Sequence, residues 1–107
     1  MNMPDAIREF FEADQRYDGQ APVHAFTRDA VVLDEGRSHA GHEEIAGWWG
    51  KSKEKYRHTA EPLNLVELGD RTEVRARVTG EFPGSPAVLT FRFRLQGERI
   101  GRLEIGP

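Results

Sequence analysis

The chain has 107 residues, no cysteine, 15 Lys and Arg against 18 Asp and Glu, and a formal charge of −3. That length suits one domain with a single core, residues 1–107. The absence of cysteine excludes disulfides, zinc thiolate sites and thiol nucleophiles together. Lys and Arg are scattered rather than massed, which leaves no electrostatic footprint for nucleic acid or an anionic membrane. No apolar run approaches the roughly 18 residues that a membrane-spanning helix needs. The first residues, Met1 to Phe10, hold no basic segment followed by an apolar core, so a cytoplasmic protein is expected. The easier partner is a small neutral or weakly polar molecule.

Pro4 and Asp5 open a helix, because proline suits the first helical position and an acid favours the positive end of the helix dipole. Ile7, Phe10 and Phe11 recur at helical spacing as far as about Gln15. The next position of that stripe is Asp14, which either ends the buried face or points into a cavity. Tyr17, Asp18 and Gly19 have turn chemistry, and a short second helix is expected from Ala21 to Phe26. Ala30 to Leu33 reads as a β-branched strand that runs into Asp34, Glu35 and Gly36, followed by a short strand from Arg37 to Ala40.

Gly41 punctuates the chain before a third helix. His42, Glu43 and Glu44 stand in its first turn, Ile45, Trp48 and Trp49 form its apolar stripe, and Lys51, Lys53 and Lys55 complement its carboxyl end. From Tyr56 the period changes to two. Strands are expected at Thr59 to Leu68, with Pro62 marking an edge or a bulge, then at Glu73 to Thr79, Leu89 to Leu95 and Ile100 to Ile105. Helices first and an antiparallel meander afterwards make an α+β arrangement, with the helices on one face of the sheet.

In that order, Phe26 followed by Arg28-Asp29-Ala30-Val31, His39-Ala40-Gly41 leading to Glu44-Ile45 and Trp48-Trp49, and Phe91-Arg92-Phe93 before the last hairpin resemble the NTF2-like superfamily. That superfamily includes ketosteroid isomerase-like and SnoaL-like proteins. The resemblance covers nearly the whole chain. It implies a cone of three N-terminal helices packed on a curved, mostly antiparallel sheet, an apolar pocket between them, and a homodimer joined through the outer sheet face. Carried over by position, the isomerase pattern puts its general base at Asp34, eight residues after Phe26. Its two oxyanion-hole donors fall at Phe10 and at or near Phe91, where no donor remains, and isomerisation needs a hydrogen bond to the enolate as well as a base.

Asp34 is therefore either a base partly desolvated by Trp48, Phe91 or Phe93, or an acid exposed at a turn. Glu35 alternates to the opposite side. His39 near the cone's mouth, and His58 on the same strand face as Tyr56, are the candidate proton relays or hydrogen-bond donors. His24 and His42 read as surface and cap residues. Trp48 and Trp49 are core or dimer contacts, or a ligand wall, and Glu104 is a second acid near Asp34 if its strand curves inward. The expected pocket comprises Phe10, Asp14, Trp48, Tyr56, Phe91, Phe93 and Glu104. No histidine and carboxylate spacing resembles a metal site, and no cofactor is expected. Two functions remain open: a module that binds a small apolar or carbonyl-containing molecule, and a proton-transfer enzyme (isomerase, cyclase or dehydratase) with Asp34 as base.

Overall fold

The computed structural model describes residues 1–16 and 19–107. The elements in chain order are helix α1 (Asp5–Gln15), a single 3-10 turn (Val23–Ala25), strands β1 (Phe26–Asp34) and β2 (Arg37–Ala40), helix α2 (Gly41–Tyr56), and strands β3 (Thr59–Glu67), β4 (Thr72–Thr79), β5 (Ala87–Gln96) and β6 (Arg99–Gly106). The six strands form one sheet in the order β2-β1-β6-β5-β4-β3. All pairs are antiparallel except β1 with β6. This is the α+β cone expected from the sequence, with the helices covering its inner face.

The second helix expected from Ala21 to Phe26 is a correction. Only the turn Val23–Ala25 is helical there, and Phe26 already belongs to β1. Phe26 pairs with Ile100 of β6 and is fully buried, so tertiary pairing captures a residue whose local pattern suggested helix. β1 is accordingly nine residues long rather than four. The turn chemistry at Tyr17 and Asp18 falls outside the described residues, and Gly19 beside them has φ +76°.

The meander follows its alternation closely. Thr72, Val74, Ala76 and Val78 of β4 point inward, while Arg75, Arg77 and Thr79 are exposed. Pro62 sits where the β3–β4 register shifts, on the edge strand β3, as a residue without an N–H must. The arginines pair on the outer face: Arg77 with Glu61 at 2.8 Å, Arg92 with Glu73 at 3.6 Å, and Arg94 with Asp70 at 3.7 Å.

The narrow end of the cone is filled by aromatic rings. Phe10 of α1 stands at its centre, edge-on to Phe11 (5.1 Å between centroids), Trp49 (5.4 Å), Phe93 (5.5 Å), Phe91 (6.0 Å) and Phe26 (6.2 Å). Edge-to-face pairs of this kind add about 0.5–1.5 kcal/mol each beyond the area they bury. The cluster anchors both helices to β5, and what remains open lies above it.

Candidate functional site

Above Phe10 and Phe91 the cone is hollow, with a cavity of about 710 Å³. Apolar groups make most of its wall, among them Val78, Phe82, Leu89, Phe91 and Ile105. Helix α2 contributes Trp48, Ser52 and Tyr56, one residue per turn along a single stripe, and Trp49 and Lys53 on the adjoining stripe. The polar atoms enter at two places.

The first is the turn between β1 and β2. Asp34 ends β1, and Glu35 and Gly36 turn the chain with φ +53° and +75°. The indole N–H of Trp48 donates to Asp34 Oδ2 at 3.0 Å, and the Tyr56 hydroxyl donates to Glu35 Oε1 at 2.7 Å. The hairpin tip is thus tied to α2 at two points. Burial raises the pKa of the Asp34 carboxyl above its ordinary 3.8, and the Glu35 charge adds to the rise; the Trp48 hydrogen bond, nearby His39 and the Glu35 backbone oppose it. Strand alternation placed Glu35 on the far side, but a residue in a positive-φ turn no longer follows the strand period. Its exposed carboxylate stands at the cavity rim.

The second is the junction of α1, α2 and β3. Asp14 is 3% exposed, and both of its carboxylate oxygens are engaged. Lys53 Nζ lies 2.5 Å from Oδ1, and the Ala60 N–H donates to Oδ2 at 2.6 Å. Lys53 also donates to the backbone carbonyls of Asp14 (2.8 Å) and His58 (2.7 Å), so its three N–H donors have three acceptors. One of those carbonyls lies in the last turn of α1, which the lysine caps. Gln15 Nε2 donates to the Ala60 carbonyl at 3.1 Å, so the open edge of β3 is covered here by side chains of α1.

His58 follows the left-handed Arg57 (φ +48°) that closes α2. Its position is fixed from behind by Gly80: a Cβ there would meet the Tyr56 carbonyl at 2.7 Å and His58 Cα at 2.9 Å, so only glycine allows the β4–β5 loop this close. The Glu81 N–H donates to the same Tyr56 carbonyl at 2.6 Å. His58 Nδ1 is buried without a hydrogen bond, 3.7 Å from Asp14 Oδ1. Burial and then the Lys53 charge lower the His58 pKa, against the pull of Asp14 and Glu35. The imidazole is held toward its neutral form.

Seven of the residues singled out in the sequence therefore meet at one cavity: Phe10, Asp14, Asp34, Trp48, Tyr56, His58 and Phe91. Three do not. His39 lies behind Trp48, the rings 6.0 Å apart and tilted by 32°. Phe93 is wholly buried in the aromatic cluster below the cavity, and Glu104 is exposed on the outer face, paired across strands with Leu33 and Arg92. The strand does not curve enough to bring Glu104 inward. His42, read as a cap, places Nε2 3.0 Å from the Phe26 carbonyl. Lys53 was missed, because its spacing from Trp49, four residues on the same helix stripe, was outweighed by its place in a basic last turn. Among the described residues no cluster of His, Asp or Glu is arranged to hold a metal ion, and no helix is long and apolar enough to cross a membrane.

The SnoaL-like domain model matches residues 7–102. No curated protein matches the chain. Among solved structures, a candidate polyketide cyclase from Sinorhizobium meliloti is 45% identical with a TM-score of 0.91, over 96% of this chain and 94% of that one. A protein of ketosteroid isomerase-like fold from Catenulispora acidiphila, solved in complex with trimethylamine, is 19% identical with a TM-score of 0.85, over 99% of this chain and 87% of that one. A candidate isomerase of the SnoaL-like family from Agrobacterium tumefaciens is 16% identical with a TM-score of 0.76, over 94% and 92% of the two chains. The chain is a member of the SnoaL-like domain family, within the NTF2-like superfamily.

Proposed function

We propose that the protein binds an apolar, carbonyl-containing small molecule in its cavity and transfers a proton on it, with Asp34 as general base. The observation that carries this reading is the position of Asp34. A carboxylate stands in the wall of an otherwise apolar cavity of about 710 Å³, destabilised by burial and oriented by one indole N–H. A carboxyl with a raised pKa is the better matched to take and return a proton near neutral pH. The name given to the 45% identical relative, a candidate polyketide cyclase, supports chemistry at a carbonyl compound.

In the proposed step an Asp34 oxygen takes a proton from a carbon next to the carbonyl. The C–H electron pair becomes the C=C bond of an enolate, and the charge collects on oxygen. That oxygen needs a hydrogen bond, which Phe10 and Phe91 cannot give. Tyr56 and His58 are two donors in the wall besides the Ser52 hydroxyl, the first by exchanging its Glu35 acceptor for the substrate and the second through Nε2, since Nδ1 is the buried ring nitrogen. Where a C=C bond adjoins the acidic carbon the enolate is a dienolate, and returning the proton from Asp34 to the far carbon of that bond, as the double bond moves into conjugation with the carbonyl, completes an isomerisation. The homodimer implied by the superfamily belongs to the same reading, and light scattering should then give twice the chain mass of 12.1 kDa.

The test is deuterium exchange at the acidic carbon of a bicyclic ketone such as 1-tetralone, followed by proton NMR in D2O. The wild type should exceed the buffer rate, and Asp34→Asn should lose on the order of 10²-fold or more of that excess. Ketones that bind without exchange in the wild type would instead support a binding module, the reading that makes no demand on Asp34 beyond its place in the wall.

A further inference from the structure

Asp34 and Glu35 are adjacent in sequence, yet their partners on α2, Trp48 and Tyr56, are eight residues apart, or about 12 Å along the helix. Two carboxylates and two electron-rich rings thus lie side by side in one stretch of the cavity wall. Phe82 stands edge-on to Tyr56 at 6.1 Å between centroids. No cation of the wall answers the two carboxylates. Lys53, the one Lys or Arg among the described lining residues, has its charge matched by Asp14 at 2.5 Å and all its donors committed. His58 is kept toward the neutral form. The rings here already attract ammonium groups from the protein itself: Lys53 lies over Trp49 at 5.4 Å, and Lys55, outside the wall, lies over Tyr56 at 5.0 Å.

We infer that the cavity selects ligands that carry a positive charge on an apolar body, a protonated or quaternary amine seated in the cavity against the Asp34–Glu35 turn and the rings of Trp48 and Tyr56 to which it is hydrogen-bonded. This rests on the reading that the cavity holds a small molecule, and it narrows the class. Aromatic faces bind an alkylammonium through their quadrupole, and the attraction grows once the cation leaves water. The two carboxylates supply the counter-charge: Asp34 from a partly desolvated position, where a charge is worth more than in bulk water, and Glu35 from the exposed rim. An anionic ligand meets the opposite balance, with two carboxylates and no unmatched cation. The apolar body would rest on Phe91, Leu89 and Ile105.

The test uses three ketones of one shape with different charge: 4-(trimethylammonio)acetophenone, its neutral isostere 4-tert-butylacetophenone, and the anion 4-acetylbenzoate. Binding is followed by calorimetry and by the indole N–H resonance of Trp48. The cation should bind about tenfold more tightly than the neutral isostere, and the anion more weakly than either. Glu35→Gln should narrow the ratio of cation to isostere several-fold. Equal or tighter binding of the neutral isostere, or a ratio that survives both Glu35→Gln and Asp34→Asn, would overturn the inference and leave the pocket standing. Three ketones that fail to move the Trp48 resonance would take down the binding reading with it. Because each ketone has an exchangeable methyl group, deuterium exchange in the same samples reports separately on Asp34 as a base.

Discussion

Asp14 and Asp34 face the same cavity, are both withdrawn from water, and differ in almost everything else. Asp14 has a lysine ammonium on one oxygen and a backbone N–H on the other. Asp34 has an indole N–H and the neighbouring backbone, no cation in hydrogen-bonding contact, and the charge of Glu35 beside it. Full compensation makes the first a strut that joins α1, α2 and β3. Partial compensation makes the second a group whose charged form the fold tolerates at a cost. A buried carboxylate is reactive to the degree that the structure leaves it unanswered, and burial alone does not distinguish the two.

The sharpest way to break the contrast is at the strut. Asp14→Asn leaves the Lys53 ammonium, only 15% exposed, without its counter-charge, and should lower the unfolding free energy in urea by about 3–5 kcal/mol. Replacing the pair together, Asp14→Leu with Lys53→Met, should recover much of that loss. Asp34→Asn should behave in the opposite way, with an unfolding midpoint at pH 7 equal to or above that of the wild type. A carboxyl whose folded pKa is raised above 3.8 contributes most to stability below that value, and the contribution is lost as pH rises through the folded pKa. At neutral pH the Asp34 charge is therefore a cost that asparagine removes.

A smaller effect is expected from His58. Its pKa is lowered on folding, so its contribution is fully present above the ordinary 6.5 and is lost as pH falls below it, when the half-buried ring must charge beside Lys53. Urea midpoints measured from pH 7.5 down to pH 5 should fall for the wild type more than for His58→Gln. The smallest effect is on Asp34 itself: Trp48→Phe removes a hydrogen bond that favours the charged form, so the Asp34 midpoint should rise further, with little change in the urea midpoint.

Period and punctuation carried the meander, both helices and the edge position of Pro62, because alternation and turn residues are local signals. What escaped was non-local. Phe26 was drawn into β1 by Ile100, which lies 74 positions on, and no local window contains that pairing. The apolar half of the site was legible through Phe10, Trp48 and Phe91, and Asp34 through its place at a strand end. Lys53 and Glu35 were not, because each acts by reaching across the fold, to Asp14 at 39 residues' separation and to Tyr56 at 21. Glu104 was placed inward only by supposing a curvature that the β5–β6 pairing does not supply.

The most direct test of the account is a carbon-detected NMR titration of the side-chain carboxyls of the wild type, resolving Asp34 and Asp14. Asp34 should titrate above the ordinary carboxylate value of about 4 and move when a cavity ligand binds. An Asp34 that titrates as an exposed aspartate does, with a midpoint no ligand shifts, would contradict the claim that this cavity is built around a reactive carboxyl.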